Sequence, residues 1–332
     1  MTAAQVTALL RGAVETRTVP VTPSVQSQAL ARLLMSSLRP MAEAARLGSG
    51  LHRRLVRTLF DQVGLVPLAR GTRLQSVAGD GARGLWIAAR NADEGAGALL
   101  YLHGGGFVLG GTRSHRHFAS ALSTACGLPV LLVDYRRAPE HPFPAAADDA
   151  LAGYRWLLAQ GFAAGKIVVL GDSAGGHLAA GLLGDLRRKR LPMPAAAVLF
   201  SPFLDLEGAD LDRRDAARRD PFVPPARARE CGLAYAGRLA LRHRRLDVLR
   251  GHKRGWPPVL IQVGDTECLL GDSQRLAEAL TDAGVHCELQ IWPGQVHVFP
   301  AFYPIIPEGR LAIRQVSSFV REAIAEPVAA TA

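Results

Sequence analysis

No stretch of the 332 residues stays apolar over the roughly 18 positions that a membrane-spanning helix needs, so no span is expected. Residues Thr2 to Leu10 have neither a charged leading stretch nor a long apolar one, so no secretory leader is expected either. Cysteine is sparse. Cys126, Cys231, Cys268 and Cys287 are scattered without a C-x-x-C pair or metal-ligand spacing. That disfavours a zinc ribbon or a disulfide scaffold and points to reduced thiols in a cytoplasmic protein. HExxH, P-loop and dinucleotide fingerprints are missing, and no internal repeat is visible. No metal and no organic cofactor is therefore expected.

What is present supports an enzyme-sized core. Hydrophobic residues make up 48% of the chain, and its length suits one large domain with an elaboration or two small domains. The net charge of +10 is almost all arginine and is concentrated locally, at Arg213-Arg214, Arg218-Arg219 and Arg242 to Arg245. No nucleic-acid motif accompanies it, so a solvated basic face is expected rather than a nucleic-acid partner. Such a face could steer an anionic substrate or partner.

The most specific local signal is Gly171-Asp172-Ser173-Ala174-Gly175, between the apolar run Ile167 to Leu170 and the helical run His177 to Leu183. Strand, sharp turn and helix with a serine at the apex describe a nucleophile elbow, whose glycines admit the crowded strand-to-helix crossing. A second signal is His103-Gly104-Gly105-Gly106, following the apolar run Ala98 to Leu100. Three glycines after a strand let amides approach a ligand, and such amides can hold an oxyanion. The backbone N–H groups of Gly105, Gly106 and Ala174 are the candidates, Ala174 because it opens a helix. Two late strands complete the pattern. Pro258–Val263 leads into Gly264-Asp265-Thr266-Glu267, and Cys287–Trp292 leads into Pro293-Gly294-Gln295-Val296-His297. Serine, acid and histidine in this order suit a triad in which His297 is the base and a carboxylate fixes its tautomer.

With these motifs on the page, the chain resembles the hormone-sensitive-lipase family of α/β-hydrolase carboxylesterases. Tyr135-Arg136-Arg137-Ala138-Pro139-Glu140-His141-Pro142-Phe143-Pro144-Ala145-Ala146 is similar to a further block of that family. The resemblance covers roughly residues 70–325 and implies a serine esterase working through an acyl-enzyme. It implies that Glu267 stands where the family usually has an aspartate. Asp265 and Asp272 remain rivals for that role, Asp272 being also explicable as a cap of the next helix. His103, Asp172 and Tyr135 would support the loop and the elbow. Short- to medium-chain acyl esters are the implied substrates, and a homodimer through the last sheet strand is the implied assembly. Lactone or amide hydrolysis and acyl transfer could use the same triad. A catalytically silent ligand receptor on the same scaffold is the reading from a different class.

Strand-helix alternation predicts an α/β fold with a mostly parallel, doubly wound sheet. Its eight strands are Leu74–Val77, Leu85–Ala89, Leu99–His103, Val130–Tyr135, Lys166–Leu170, Ala196–Phe200, Pro258–Val263 and Cys287–Trp292. Residues 1–60, read as helical, and the insertion 203–256 fall outside this rhythm; the resemblance implies that together they form a cap. The α/β-hydrolase core would then be 61–202 and 257–332. No strongly amphipathic apolar lid is visible in the sequence, which argues against action at an oil interface and against stable membrane insertion.

Overall fold

The computed structural model describes residues 14–45, 47–48, 50–238, 241 and 243–325. Expectations for residues 1–13 and for Arg242 therefore lie outside the described residues. The strands are β1 (Val14–Thr18), β2 (Arg73–Gly79), β3 (Ala82–Ala88), β4 (Ala98–Leu102), β5 (Val130–Val133), β6 (Ile167–Asp172), β7 (Ala196–Phe200), β8 (Val259–Gly264) and β9 (Cys287–Trp292). They form one sheet in the order β1-β9-β8-β7-β6-β4-β5-β3-β2. Only β3 runs antiparallel to its neighbours β2 and β5.

The central strands β4, β5 and β7 are apolar at every position because both faces of the sheet are covered. Successive side chains enter opposite layers. Leu100 and Leu102 join Val169, Leu199 and Ile261 in one core, while Leu99 and Tyr101 join Val168, Val198 and Phe200 in the other. The helices α1 (Val25–Leu33), α2 (Arg39–Ala44) and α3 (Gly50–Phe60) precede the main sheet. Then come α4 (Thr112–Cys126), α5 (Ala145–Ala159) and α6 (Ala174–Arg188). Helices α5 and α6 pack on the first core, and α4 packs on the second through Phe118 and Leu122. After the insertion helices α7 (Leu211–Ala217) and α8 (Pro225–Ala236), α9 (Leu270–Asp282) joins the first core and α10 (Pro307–Ala325) joins the second.

Two expectations need correction. Among the described residues the sheet has nine strands rather than eight, and the N-terminal region is not wholly helical, because Val14–Thr18 pairs in parallel with β9. Alternating β-branched residues at Val14, Thr16 and Thr18 suit a strand. Nothing local marks so short a run, however, and the open edge of β9 decides its state. Because β1 covers that edge, β9 is not the sheet's last strand, and a dimer built on β9 would have to displace β1. Among the described residues no helix is long and apolar enough to cross a membrane.

The N-terminal helices are fastened to the insertion. Arg39 is buried, forms an ion pair with Asp215 at 2.7 Å and donates to the Asp220 carbonyl. Arg227 of α8 donates to the Ala45 carbonyl at 2.6 Å. The turn Asp220 to Pro224 opens α8, with Pro225 at its first helical position. Arg39→Ala would leave the Asp215 carboxylate and the Asp220 carbonyl without their buried partner. We expect it to cost about 3 kcal/mol. Urea unfolding is the check, with hydrogen exchange rising first in residues 211–236.

Candidate active site

Ser173 sits where β6 turns into α6, with φ 53° and ψ −119°, a backbone conformation that is rare for a non-glycine residue. Surrounding bonds hold it there. The Ser173 N–H donates to the Phe200 carbonyl at 2.9 Å, and its own carbonyl accepts from Phe203 N–H at 3.0 Å. Gly175 must lack a side chain, because a Cβ there would overlap the Leu102 carbonyl at the end of β4. The elbow thus presses α6 against the strand that feeds the glycine loop.

That loop is positioned by Asp172, a buried carboxylate. It accepts from Gly104 N–H at 2.9 Å and from the Tyr101 hydroxyl at 2.7 Å, and it faces His115 at 3.6 Å. Burial works to raise its pKa, but His115, Tyr101 and His103 together hold it below the ordinary aspartate value. His103 stacks on Tyr135 with ring centroids 4.0 Å apart, and the Tyr135 hydroxyl donates to the His103 carbonyl at 2.7 Å. Burial pushes the His103 imidazole down to about 3, so it stays neutral. These are the supporting places expected of His103, Asp172 and Tyr135. Gly105 and Gly106 take positive φ (108° and 61°), and their N–H groups have no partner among the described residues. The Ala174 N–H opens α6 and has no intrahelical acceptor.

The carboxylate beside His297 is Glu267. Its Oε2 lies 2.8 Å from His297 Nδ1, and both side chains are buried. Its Oε1 accepts from the Ser201 hydroxyl at 2.7 Å and from Gly264 N–H at 2.6 Å. Asp265 points elsewhere, accepting from Gly294 N–H at 2.7 Å and pairing with Arg218 at 2.8 Å. Asp272 accepts from the amides of Leu204 and Asp205 and pairs with Arg275 at 2.7 Å. It therefore fixes the chain after β7 rather than capping its own helix. Burial would lower the His297 pKa, but the hydrogen bond and charge of Glu267, with Asp220 and Asp172 behind it, raise it above the ordinary imidazole value. Burial raises the Glu267 pKa, and His297 and Ser201 partly oppose that rise.

Two further side chains, Ser201 and Asp220, complete the frame. Ser201, at the end of β7 with φ 45°, donates to Glu267 and accepts from Val298 N–H at 3.0 Å, so it ties the acid turn to the histidine loop. Asp220, fully buried, accepts from Cys268 N–H at 2.9 Å through one oxygen and from Phe222 and Val223 N–H through the other. Asp220-Pro221 is locally a turn pair, but its grip on the Glu267 loop comes from partners distant in sequence. The insertion also overhangs the site. Phe222 lies 5.7 Å from the His297 ring, Tyr235 stacks on Phe107 at 3.9 Å, and a Cβ at Gly106 would come 2.8 Å from Cys231 Sγ. Burial pushes the Cys231 thiol up to about 12, which leaves it a neutral wall rather than a nucleophile.

Fold and site together define a class, and comparison with known proteins agrees. The family model described as "alpha/beta hydrolase fold" matches residues 99–301, more than half of the chain. The chain belongs to the α/β-hydrolase fold family. Among its relatives is an acetyl-hydrolase of Streptomyces hygroscopicus, 43% identical over 73% of this chain and 80% of that protein. A carboxylesterase/phospholipase, LipF, of Mycobacterium tuberculosis is 40% identical over 71% of this chain and 65% of that one. A solved esterase from the bacterial hormone-sensitive lipase family superposes with a TM-score of 0.83 at 34% identity, covering 92% of this chain and all of that one.

The tightest steric demand of the site gives its test. Gly175→Ala forces a Cβ onto a carbonyl that belongs to a central strand, where nothing flexible can yield. The expected outcome is loss of soluble protein or a large fall in Tm, read by expression and thermal denaturation.

Proposed function

We propose that this ester hydrolase cleaves short- to medium-chain acyl esters, with Ser173 as nucleophile, His297 as base and then acid, and Glu267 as the orienting carboxylate. The observation that carries the reading is the buried 2.8 Å bond between Glu267 and His297, made while Asp265 and Asp272 are committed to other partners. Ser173 Oγ attacks the ester carbonyl and passes its proton to His297. The amides of Gly105, Gly106 and Ala174 take the oxyanion. His297 then protonates the leaving alcohol, and water repeats the sequence on the acyl-enzyme. Every proton is carried by residues of this chain.

The resemblance to the hormone-sensitive-lipase family supports the short-chain preference, as does the name of the acetyl-hydrolase relative. Residues 203–256 and the helices before residue 61 act as a cap in this reading. They place Phe222, Cys231 and Tyr235 around the catalytic groups and bind each other through Arg39 and Arg227. A cytoplasmic setting fits four unpaired, buried cysteines. A homodimer remains part of the reading, with its contact moved away from β9; light scattering that gives a monomer mass would remove it.

p-Nitrophenyl acetate, butyrate, octanoate and palmitate test the activity. We expect turnover on the short esters that disappears in Ser173→Ala with the fold intact; retained turnover in that variant would sink the assignment. Glu267→Gln should lower kcat by about 10³-fold or more, while Asp265→Asn should stay near wild type. The reverse ranking would name Asp265 as the acid. The pH profile carries a signed expectation. His297 must be neutral to act as base, so kcat/KM falls as pH drops through its raised pKa. In Glu267→Gln the raising charge is gone, and the residual activity should show its acid limb at lower pH.

A further inference from the structure

Helix α3 is built the wrong way round for a helix on a globular surface. Such a helix ordinarily buries its apolar stripe and exposes its charges. Here Arg53 and Arg57 face the protein, beside Val56. Arg57 donates to the carbonyls of Val108 and Ala138 at 2.7 and 3.0 Å and pairs with Glu140 at 2.8 Å. Arg53 pairs with the same Glu140 and donates to the Leu47 carbonyl at 2.8 Å. On the solvent face, Leu51, Leu55 and Leu59 are 78%, 56% and 51% exposed. Val63, four residues further on, and Leu65 extend the apolar run at 40% and 69% exposure. Three leucines at spacing i, i+4, i+8 form one continuous stripe. Single exposed leucines need no explanation, but a stripe of this length marks a surface meant to be covered.

The charge around the stripe selects what covers it. From residue 44 to residue 79 the chain has a single acidic residue, Asp61. Arg54 is exposed on α3 itself, and exposed Arg113 lies against Gly64, between Val63 and Leu65. The one carboxylate beneath the helix, Glu140, is already held by Arg53 and Arg57. A second copy docking by the same face would bring guanidinium groups against guanidinium groups. An anionic lipid surface would neutralise them while taking up the leucines, the pairing that interfacial helices use.

We propose that α3 and the Val63–Leu65 turn form a docking face for an anionic phospholipid bilayer, on which the protein rests without spanning it. Arg57 joins α3 to the carbonyl of Val108, two residues beyond Gly106, so the helix that carries the docking face rests, on its opposite side, against the segment that follows the glycine loop.

The test is co-sedimentation of the full chain with vesicles of phosphatidylcholine alone and of phosphatidylcholine mixed with phosphatidylglycerol. Wild type should partition at least about 10-fold more strongly onto the mixed vesicles, and less at high salt. Leu51→Ser, Leu55→Ser and Leu59→Ser combined should lose about 10-fold or more of that partition, because each buried leucine contributes to it, with hydrolysis of p-nitrophenyl butyrate in free solution unchanged. Leu55→Trp should shift its emission to the blue when mixed vesicles are added. Ser173→Ala should partition like wild type, which keeps this result separate from the catalytic reading. Three outcomes would overturn the proposal. These are no partition of wild type, equal partition of the triple variant, and a wild-type dimer in light scattering that dissociates in the triple variant. The last would give the stripe to a second copy of the chain.

Discussion

The carboxylate of Glu267 is the point on which the site depends. Its oxygens accept from Gly264 at the end of β8, from Ser201 at the end of β7 and from His297 after β9. Three adjacent parallel strands therefore have their C-terminal ends joined through one buried anion. A buried carboxylate without such donors would be neutralised or would unfold its surroundings. Here each oxygen has an assigned donor, so the charge is both affordable and directional. Ser173 belongs to the same frame, because its N–H is held by Phe200, the residue before Ser201. Ser173 and Glu267 are thus separated by one strand end.

A second buried carboxylate carries the frame outward. Asp220 takes the Cys268 N–H from the acid turn and the Phe222 and Val223 N–H groups from the insertion, while its carbonyl receives Arg39 from the N-terminal helices. The insertion is therefore bonded to the residue next to Glu267. Its Phe222 reaches the His297 ring through the same turn. The N-terminal segment is tied in twice more. Leu30 and Leu34 pack against Trp292, Val296 and Phe299 around the histidine loop, and Ser27 donates to Gln295 at 2.9 Å. The insertion and the N-terminal helices are thus coupled to the frame of the site through bonds to the segments around Glu267 and His297.

The parts of this arrangement that local chemistry dictates were legible in the sequence. Central strands buried on both faces are continuous apolar runs, and glycines at a strand-helix crossing have one steric reading, so β4 to β9 and the elbow could be placed within a residue or two. The order of serine, acid and histidine followed from the strands. What local chemistry leaves undetermined was not legible. The run Val14–Thr18 becomes a strand because β9 offers it an edge, not because of its own propensity. The inverted face of α3 depends on Glu140 and the Val108 and Ala138 carbonyls, which are distant in sequence and accept the arginines that a helical wheel would send to solvent. Ser201 and Asp220 look like ordinary turn residues until the loops they join are brought together.

The glutamate at position 267 shows how a longer side chain can serve in this frame. Glutamate has one more methylene than aspartate, which would overshoot an imidazole placed for the shorter acid. The excess is absorbed because the chain curls back on its own turn, with Oε1 accepting the Gly264 N–H three residues earlier while Oε2 faces His297. Gly264 permits this. Its Cα is packed so closely on the Gln295 carbonyl that a Cβ would overlap it, which brings the acid turn and the histidine loop together at their bases. Ser201 then fixes the remaining lone pair from a third strand. The extra length is consumed in holding the turn, and the oxygen presented to the imidazole is as constrained as that of a shorter acid. Asp265, two residues earlier, is left to hold Gly294 and Arg218 at the rim.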